Sequence, residues 1–302
     1  MKAIKTRHLV ILTLAFSSVV SAQQLPQFTQ YMYNTISVNP AYAGSRGTLN
    51  LTALHRNQWA GLEGNPQTTT VSVHTPLRND RIGLGISYIN DHLGFESTNY
   101  VYGDFSYSLL FSKESKLSFG LKAGFTNYQL ENPDTNDPFF DSNFNNWSPN
   151  VGAGIYYTTK RWYVGFSSPR MLTTDLNKGE FQALERNSYY AIGGFVVDIS
   201  PNIKFKPTVL SKFTNGAPSS FDVTANFLFL EKLWLGVSYR FNDSDNFGAL
   251  IDFQVSKDIR IGYSYDIPRG DLKPYSSGTH EIILIYELAF KKKGPAKSPR
   301  YF

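Results

Sequence analysis

From Thr48 onward apolar and polar residues alternate with a period of two, in run after run bounded by clusters of Gly, Pro, Asn, Asp and Ser. Between Lys116 and Leu130, the residues Leu117, Phe119, Leu121, Ala123 and Phe125 share one face, while Ser118, Gly120, Lys122, Gly124 and Thr126 share the other. The split recurs in Ile82, Leu84, Ile86 and Tyr88 against Gly83, Gly85 and Ser87. It recurs again in Phe221, Val223, Ala225, Phe227 and Phe229 against Asp222, Thr224 and Asn226. Near the end, Phe247, Ala249, Ile251, Phe253 and Val255 oppose Gly248, Asp252 and Gln254, with Leu250 the exception. One face suits lipid and the other does not. Strands of roughly 9–11 residues with this repeat are what a tilted membrane barrel requires.

The pattern predicts strands at Thr48–Asn57, Gln67–Thr75, Arg81–Ile89, Ser97–Leu110, Lys116–Leu130, Pro149–Tyr157 and Trp162–Ser168. Further strands are predicted at Tyr189–Ile199, Ile203–Phe213, Ser220–Phe229, Leu233–Phe241, Phe247–Val255, Ile259–Asp266 and His280–Phe290. The fold class is therefore all-β, a transmembrane antiparallel β-barrel of about 14 strands, an even number as in bacterial barrels. Short connections (Pro76–Asp80, Phe111–Ser115, Thr158–Arg161, Ser200–Asn202, Leu230–Lys232, Ser256–Asp258) alternate with longer ones (Gln58–Pro66, Asn90–Glu96, Glu131–Ser148, Pro169–Ser188, Thr214–Ser219, Asn242–Asn246, Ile267–Thr279). That alternation is the asymmetry between periplasmic turns and extracellular loops. It places both ends of the barrel chain on the periplasmic side. Four segments follow: a leader (1–22), an N-terminal segment (23–47), the barrel (48–290) and a tail (291–302).

Composition agrees with two solvents. Aromatic residues are 15% and charged residues only 18%, against about 25% charged in ordinary soluble domains. Mean hydropathy is −0.28, and beyond the amino terminus no stretch approaches the ~18 consecutive apolar residues of a membrane helix. Lys2, Lys5 and Arg7, the apolar run Leu9–Val20 and the small residues Ser21 and Ala22 before Gln23 read as a secretory signal peptide. With no cysteine, lipidation at a lipobox, disulfides and thiolate chemistry are excluded. Setting aside the cations of the leader and those of the tail turns the formal +5 into −3 for 23–290. The basic balance thus belongs to the ends, including Lys291, Lys292, Lys293 and Arg300, and gives no reason to expect nucleic acid as a partner.

Candidate chemistry is sparse. The polar faces carry Asp104, Lys122, Asp222, Arg240, Asp252, Arg260, Asp266 and Glu287. These are expected to pair across the lumen, since buried charges need partners. They form either a satisfied barrel interior or a substrate path. His55, His74, His92 and His280 accompany no nucleophile motif, and no enzymatic activity, cofactor or metal is expected. Asp134, Asn136, Asp137 and Asp141 lack the glycine and glutamate of a calcium loop. The strand from Glu281 to Phe290 ends on an aromatic, resembling the carboxy-terminal signal of outer-membrane proteins. Ahead of the barrel, Asn39, Pro40, Ala41, Tyr42, Ala43 and Gly44 form a compact motif in which Pro40 favours an extended Asn39 and Gly44 permits positive φ. The segment containing it either plugs or lines the lumen near the periplasmic mouth, or is a plain lead-in.

Here a family resemblance becomes visible. Gln27-Phe28-Thr29-Gln30-Tyr31-Met32-Tyr33-Asn34, followed by the motif at 39–44, resembles the opening of the PorP/SprF proteins of the Bacteroidota outer membrane. Arg56-Asn57-Gln58-Trp59, Val73-His74-Thr75-Pro76, Gly83-Leu84-Gly85-Ile86-Ser87 and Gly278-Thr279-His280-Glu281-Ile282 are similar to the same family. The resemblance implies an outer-membrane barrel of the type IX secretion system that aids export, or anchors a large secreted protein or adhesin at the surface. In gliding species it further implies a part in displaying adhesins. The implied partners are that secreted protein, the secretion or periplasmic machinery and the lipid bilayer. The long loops, with Phe139, Phe140, Phe144, Trp147, Met171 and Phe181, supply aromatic and apolar residues suited to an interaction surface. The rival reading is a passive channel for small solutes.

Overall fold

The structure, a computed structural model, describes residues 26–77, 80–112, 114–131, 144–175, 184–241, 246–268, 273–289 and 301. The expected leader, the calcium-like loop, Phe139, Phe140, Phe181 and the tail cations Lys291, Lys292, Lys293 and Arg300 lie outside the described residues.

The first wall comprises β1 (Leu49–Asn57), β2 (Gln67–Pro76), β3 (Ile82–Leu93), β4 (Glu96–Leu110), β5 (Lys116–Leu130), β6 (Phe144–Thr158) and β7 (Trp162–Ser168). A small hairpin, β8 (Thr174–Asp175) and β9 (Leu184–Glu185), interrupts the run. Then follow β10 (Ser188–Phe195), β11 (Val197–Ser200), β12 (Ile203–Thr214), β13 (Ser220–Phe229), β14 (Leu233–Phe241), β15 (Asn246–Gln254), β16 (Ile259–Ile267) and β17 (Thr279–Leu288). Successive barrel strands pair antiparallel, β1 pairs with β17 and β10 with β12, so the sheet closes into a 14-strand barrel with β11 as one extra strand. Closure leaves no free edge among the fourteen barrel strands, as a membrane-spanning sheet requires.

The alternation becomes a lipid face and a lumen face. Ile86, Leu121, Phe125, Phe166 and Ile282 point outward and are more than half exposed, an apolar band that only lipid covers comfortably. Inward positions carry Ser72, Ser87, Ser106, Ser118, Thr126 and Thr224, all buried. Leu250, the exception in its strand's pattern, points inward and is buried against the lumen contents.

Several boundaries differ from the sequence pattern. β3, β4 and β6 run further toward the long loops than predicted, leaving only Gly94 and Phe95 between β3 and β4. Asn-rich stretches that read as loop are held in the sheet by amide pairs between neighbouring strands: Asn90 donates to Asn99 at 2.9 Å and Asn127 to Asn145 at 2.6 Å. The run Tyr189–Ile199 divides at Val196, whose side chain turns inward, and the β11–β12 register shifts between Asp198 and Ser200. The final strand closes at Leu288, short of Phe290, which lies outside the described residues.

Candidate functional site

The lumen is filled by the chain's own N-terminal segment. Phe28, Tyr31, Met32, Tyr33, Ile36, Ala41, Tyr42 and Ala43 are buried in one cluster with the inward residues Leu54, Tyr102, Tyr156, Ile192, Leu250 and Ile283. A helical turn (Thr35–Val38) and a 3-10 turn (Pro40–Tyr42) supply its regular structure. The segment spans more of the lumen than the periplasmic mouth expected from sequence. Gln27 donates to Ser220 and Asp222, both 3.0 Å, where β13 leaves a long loop. At its other end Lys116, at the short-turn end of β5, donates to the Ser45 carbonyl at 2.7 Å. The plug thus descends from the long-loop half to the short-turn mouth, where β1 begins.

At the long-loop half, charge holds the plug. The Glu281 carboxylate accepts the backbone N–H groups of Thr29 (3.0 Å) and Gln30 (2.7 Å) and a guanidinium N–H of Arg56 (3.0 Å). Arg56 also reaches Asp266 at 3.3 Å, and the Thr29 hydroxyl donates to Asp266 at 2.7 Å. Glu281 and Arg56 are fully buried; in such a site each charge is tolerable only while the others remain. Trp59 sits just beyond β1 with φ 54°, its N–H donating to Thr279 Oγ1 at 3.2 Å. The stretch around Thr279 and Glu281 therefore ties an outer loop and the plug to adjacent positions of one strand. His280, between them, faces outward and meets the Tyr263 hydroxyl at 2.7 Å.

At the short-turn half, close packing holds the plug. Asn39 caps the 3-10 turn, its Oδ1 accepting the Ala41 N–H at 3.0 Å, and its Nδ2 donates to the Ile155 carbonyl at 3.1 Å. Ser167 and Ser106 donate to the carbonyls of Val38 and Ala43, both at 2.7 Å, and the Gly44 N–H donates to His74 Nδ1 at 3.1 Å. Tyr42 packs edge-on against His74 and Tyr156. The facing wall is stripped of side chains: a Cβ on Gly120 would strike the backbone of Pro40 and Ala41, and one on Gly83 the Ala43 carbonyl. Gly44 holds φ 68° with Gly83 and Pro76 against it. Only glycine meets both conditions at that spot. Arg46 then pairs with Glu287, which also accepts from Asn50 at 3.1 Å.

Two further pairs of lumen charges meet along the wall rather than across the lumen. Asp104 meets Lys122 at 2.7 Å between β4 and β5, and Arg240 grips Asp222 with two bonds of 2.7 and 2.9 Å between β13 and β14. Arg260 donates to Gln254 and lies over the Tyr33 ring at 5.3 Å. Asp252 is buried opposite Trp234 and Gly262 in the ladders. A cross-lumen pair is precluded because the plug occupies the space between the walls.

The histidines are dispersed. His55 contacts Thr69, His74 holds the plug, His92 is exposed and His280 meets Tyr263. Among the described residues no group of three or more His, Asp or Glu is placed to hold a metal ion.

The sequence as a whole decides the family. The pattern described as type IX secretion system membrane protein PorP/SprF matches residues 20–286. The chain belongs to the PorP/SprF family. No curated protein sequence matches it. Among solved structures, the CymD monoaromatic hydrocarbon channel aligns at 11% identity over 89% of this chain and 95% of that one, with a TM-score of 0.53. The Acinetobacter baumannii outer membrane protein Omp33 (10% identity, 81% and 99% covered, TM-score 0.46) and a Pseudomonas aeruginosa FadL homologue (12%, 87% and 95%, 0.46) are more distant in shape. The likeness to CymD is one of fold, an outer-membrane barrel. The family is described as a secretion-system membrane protein, and CymD as a channel.

Sequence reasoning missed Thr29, Gln30 and Arg46 as plug anchors. It also read the inward glycines as polar-face residues rather than as clearance for another piece of chain. Their spacing was the available signal, since Gly83 and Gly85 on β3, Gly120 on β5 and Gly154 on β6 all fall on inward positions that face the plug.

Proposed function

We propose that this PorP/SprF barrel is an accessory of type IX secretion that holds one large secreted protein at the cell surface, with its long loops outside and its turns in the periplasm. One observation carries the reading: residues 28–46 fill the lumen, so a folded cargo has the rim to bind and not the interior. The rim suits that task because its loops are bonded to one another. Ala60 and Gly278 share a 2.8 Å bond, Gly94 donates to Gly64 at 3.0 Å, and Glu131 to Phe95 at 3.0 Å. Phe95 and Tyr275 stand exposed on this tied surface, as aromatic anchors of an interface do. In a gliding species the held protein would be an adhesin, and the basic tail would face the periplasmic machinery.

The test is deletion of the chain followed by surface proteomics of intact cells. One large protein with a type IX sorting domain is expected to leave the surface, and restoring the barrel with Phe95→Ser and Tyr275→Ser is expected to return it only in part. Normal retention of every such protein in the deletant would sink the reading. A solute-channel role instead predicts conductance by the purified barrel in liposomes; a sealed lumen predicts none.

A further inference from the structure

A second piece of chain reaches the barrel interior at the short-turn mouth. Tyr301 lies beyond the last strand yet is only 7% exposed, and it completes an apolar cluster with Val196, Leu228 and Trp234. Those three residues sit where β10 breaks into β11, where β13 ends and where β14 begins. The Tyr301 carbonyl accepts a hydrogen bond from Lys206 Nζ at 2.6 Å, and Lys204 Nζ lies 5.6 Å from the centre of its ring. Both recognition elements are therefore present: an apolar slot for a ring, and a buried ammonium that reads the main chain beside it.

Lys206 gives this seat a reach beyond the tail. It is 1% exposed, and its ammonium also lies over the Trp234 ring at 5.6 Å and over the Tyr33 ring at 5.1 Å. Tyr33 belongs to the plug, and Arg260 flanks it on another approach at 5.3 Å. One cation thus touches the tail residue, the wall and the plug. Desolvated cation–π contacts of this kind are sensitive to where the ammonium is drawn, and the Tyr301 carbonyl is one of the groups drawing it.

We propose that the short-turn mouth is a docking seat for an aromatic residue of the chain's own tail, and that Lys206 couples its occupancy to the plug through Tyr33. Taking Tyr301 out of the seat removes an oxygen from Lys206, whose ammonium also lies over Tyr33, and empties the slot among Val196, Leu228 and Trp234. The plug then loses support at its middle while both of its anchored ends stay in place. The inference requires no particular secreted partner and stands apart from the role proposed above.

Two measurements on the full-length barrel in detergent test it. With p-benzoylphenylalanine in place of Tyr301, irradiation is expected to yield crosslinks to Val196, Leu228 or Trp234, read by mass spectrometry. In Tyr301→Ala, amide exchange across Tyr31–Ile36 is expected to quicken several-fold while the barrel strands keep their protection. Tyr301→Phe, which loses only the hydroxyl beside Lys204, should restore the slow exchange, because the ring and the carbonyl remain. Lys206→Met should reproduce the effect of Tyr301→Ala. Crosslinks confined to other sites, or plug exchange unchanged in Tyr301→Ala, would overturn the proposal, and either result stands even where Lys206→Met fails to fold.

Discussion

The two halves of the plug are held by different physics. Toward the long loops, one buried carboxylate, Glu281, gathers two backbone N–H groups and the Arg56 guanidinium. Toward the short turns the motif at Asn39–Gly44 is fixed by neutral hydrogen bonds and by a wall of glycines that its backbone nearly touches. The charged end depends on every member being present, because each is buried with the others. The packed end depends on the absence of atoms. Loss of a single group should therefore disable the first end, and gain of a single group the second.

The largest expected effect is at the charged end. Glu281→Ala strands Arg56 beside Asp266 alone and leaves two plug N–H groups without their acceptor, a loss of about 3–5 kcal/mol. Thermal unfolding followed by gel mobility in detergent should show the drop, and amide exchange should place it at Thr29 and Gln30 first. An exchange increase spread evenly over the plug would mean that the two ends are not held independently.

The packed end is tested by addition. Gly120→Val inserts methyl groups where the Pro40–Ala41 backbone lies, and overpacking of this kind costs about 1–3 kcal/mol. The outward face of β5 is untouched, so the barrel is expected to remain assembled while exchange rises at Ala41–Gly44. A fully protected motif in this variant would show that the wall yields instead of the plug.

The smallest change calibrates the other two. Leu230 and Glu231 form a two-residue turn with φ of 52° and 57°, a left-handed pair suited to the twist of a hairpin but costly for residues with a Cβ. Leu230→Gly should raise barrel stability by about 1 kcal/mol and leave plug exchange unaltered. If plug exchange also slows, barrel and plug open together and the comparison between the ends loses its basis.

Much of the barrel was legible because its signal is local. Alternation along Lys116–Leu130 or Phe221–Phe229 reports which neighbour each side chain meets, and lipid and lumen impose opposite demands. Asn145 and Asn146 misled because asparagine disfavours strands in isolation, whereas here amides on adjacent strands satisfy one another. The plug anchors were hidden for the opposite reason. Gln30 and Glu281 are 251 residues apart, and nothing near either announces the other. Arg56 and Glu281 were singled out only through a family likeness, which does not say that they meet. Tyr301 carried no pattern at all, because a lone aromatic past the last strand has no period to read.

The position of the plug also fixes an order of events. It is the stretch immediately before β1, it lies wholly within the ring, and the ring closes where β1 meets β17. Pushing it into a finished barrel would mean dragging buried tyrosines and the Thr29–Gln30 backbone past walls that already touch. Wrapping the later strands around it avoids that passage. The β1–β17 seam is then the last to zip, and Glu281, borne on the closing strand, arrives to find the plug's N–H groups waiting. A barrel insertase handling this chain would be holding a nascent sheet with its contents already inside, and a stalled intermediate would show itself by an unlatched seam.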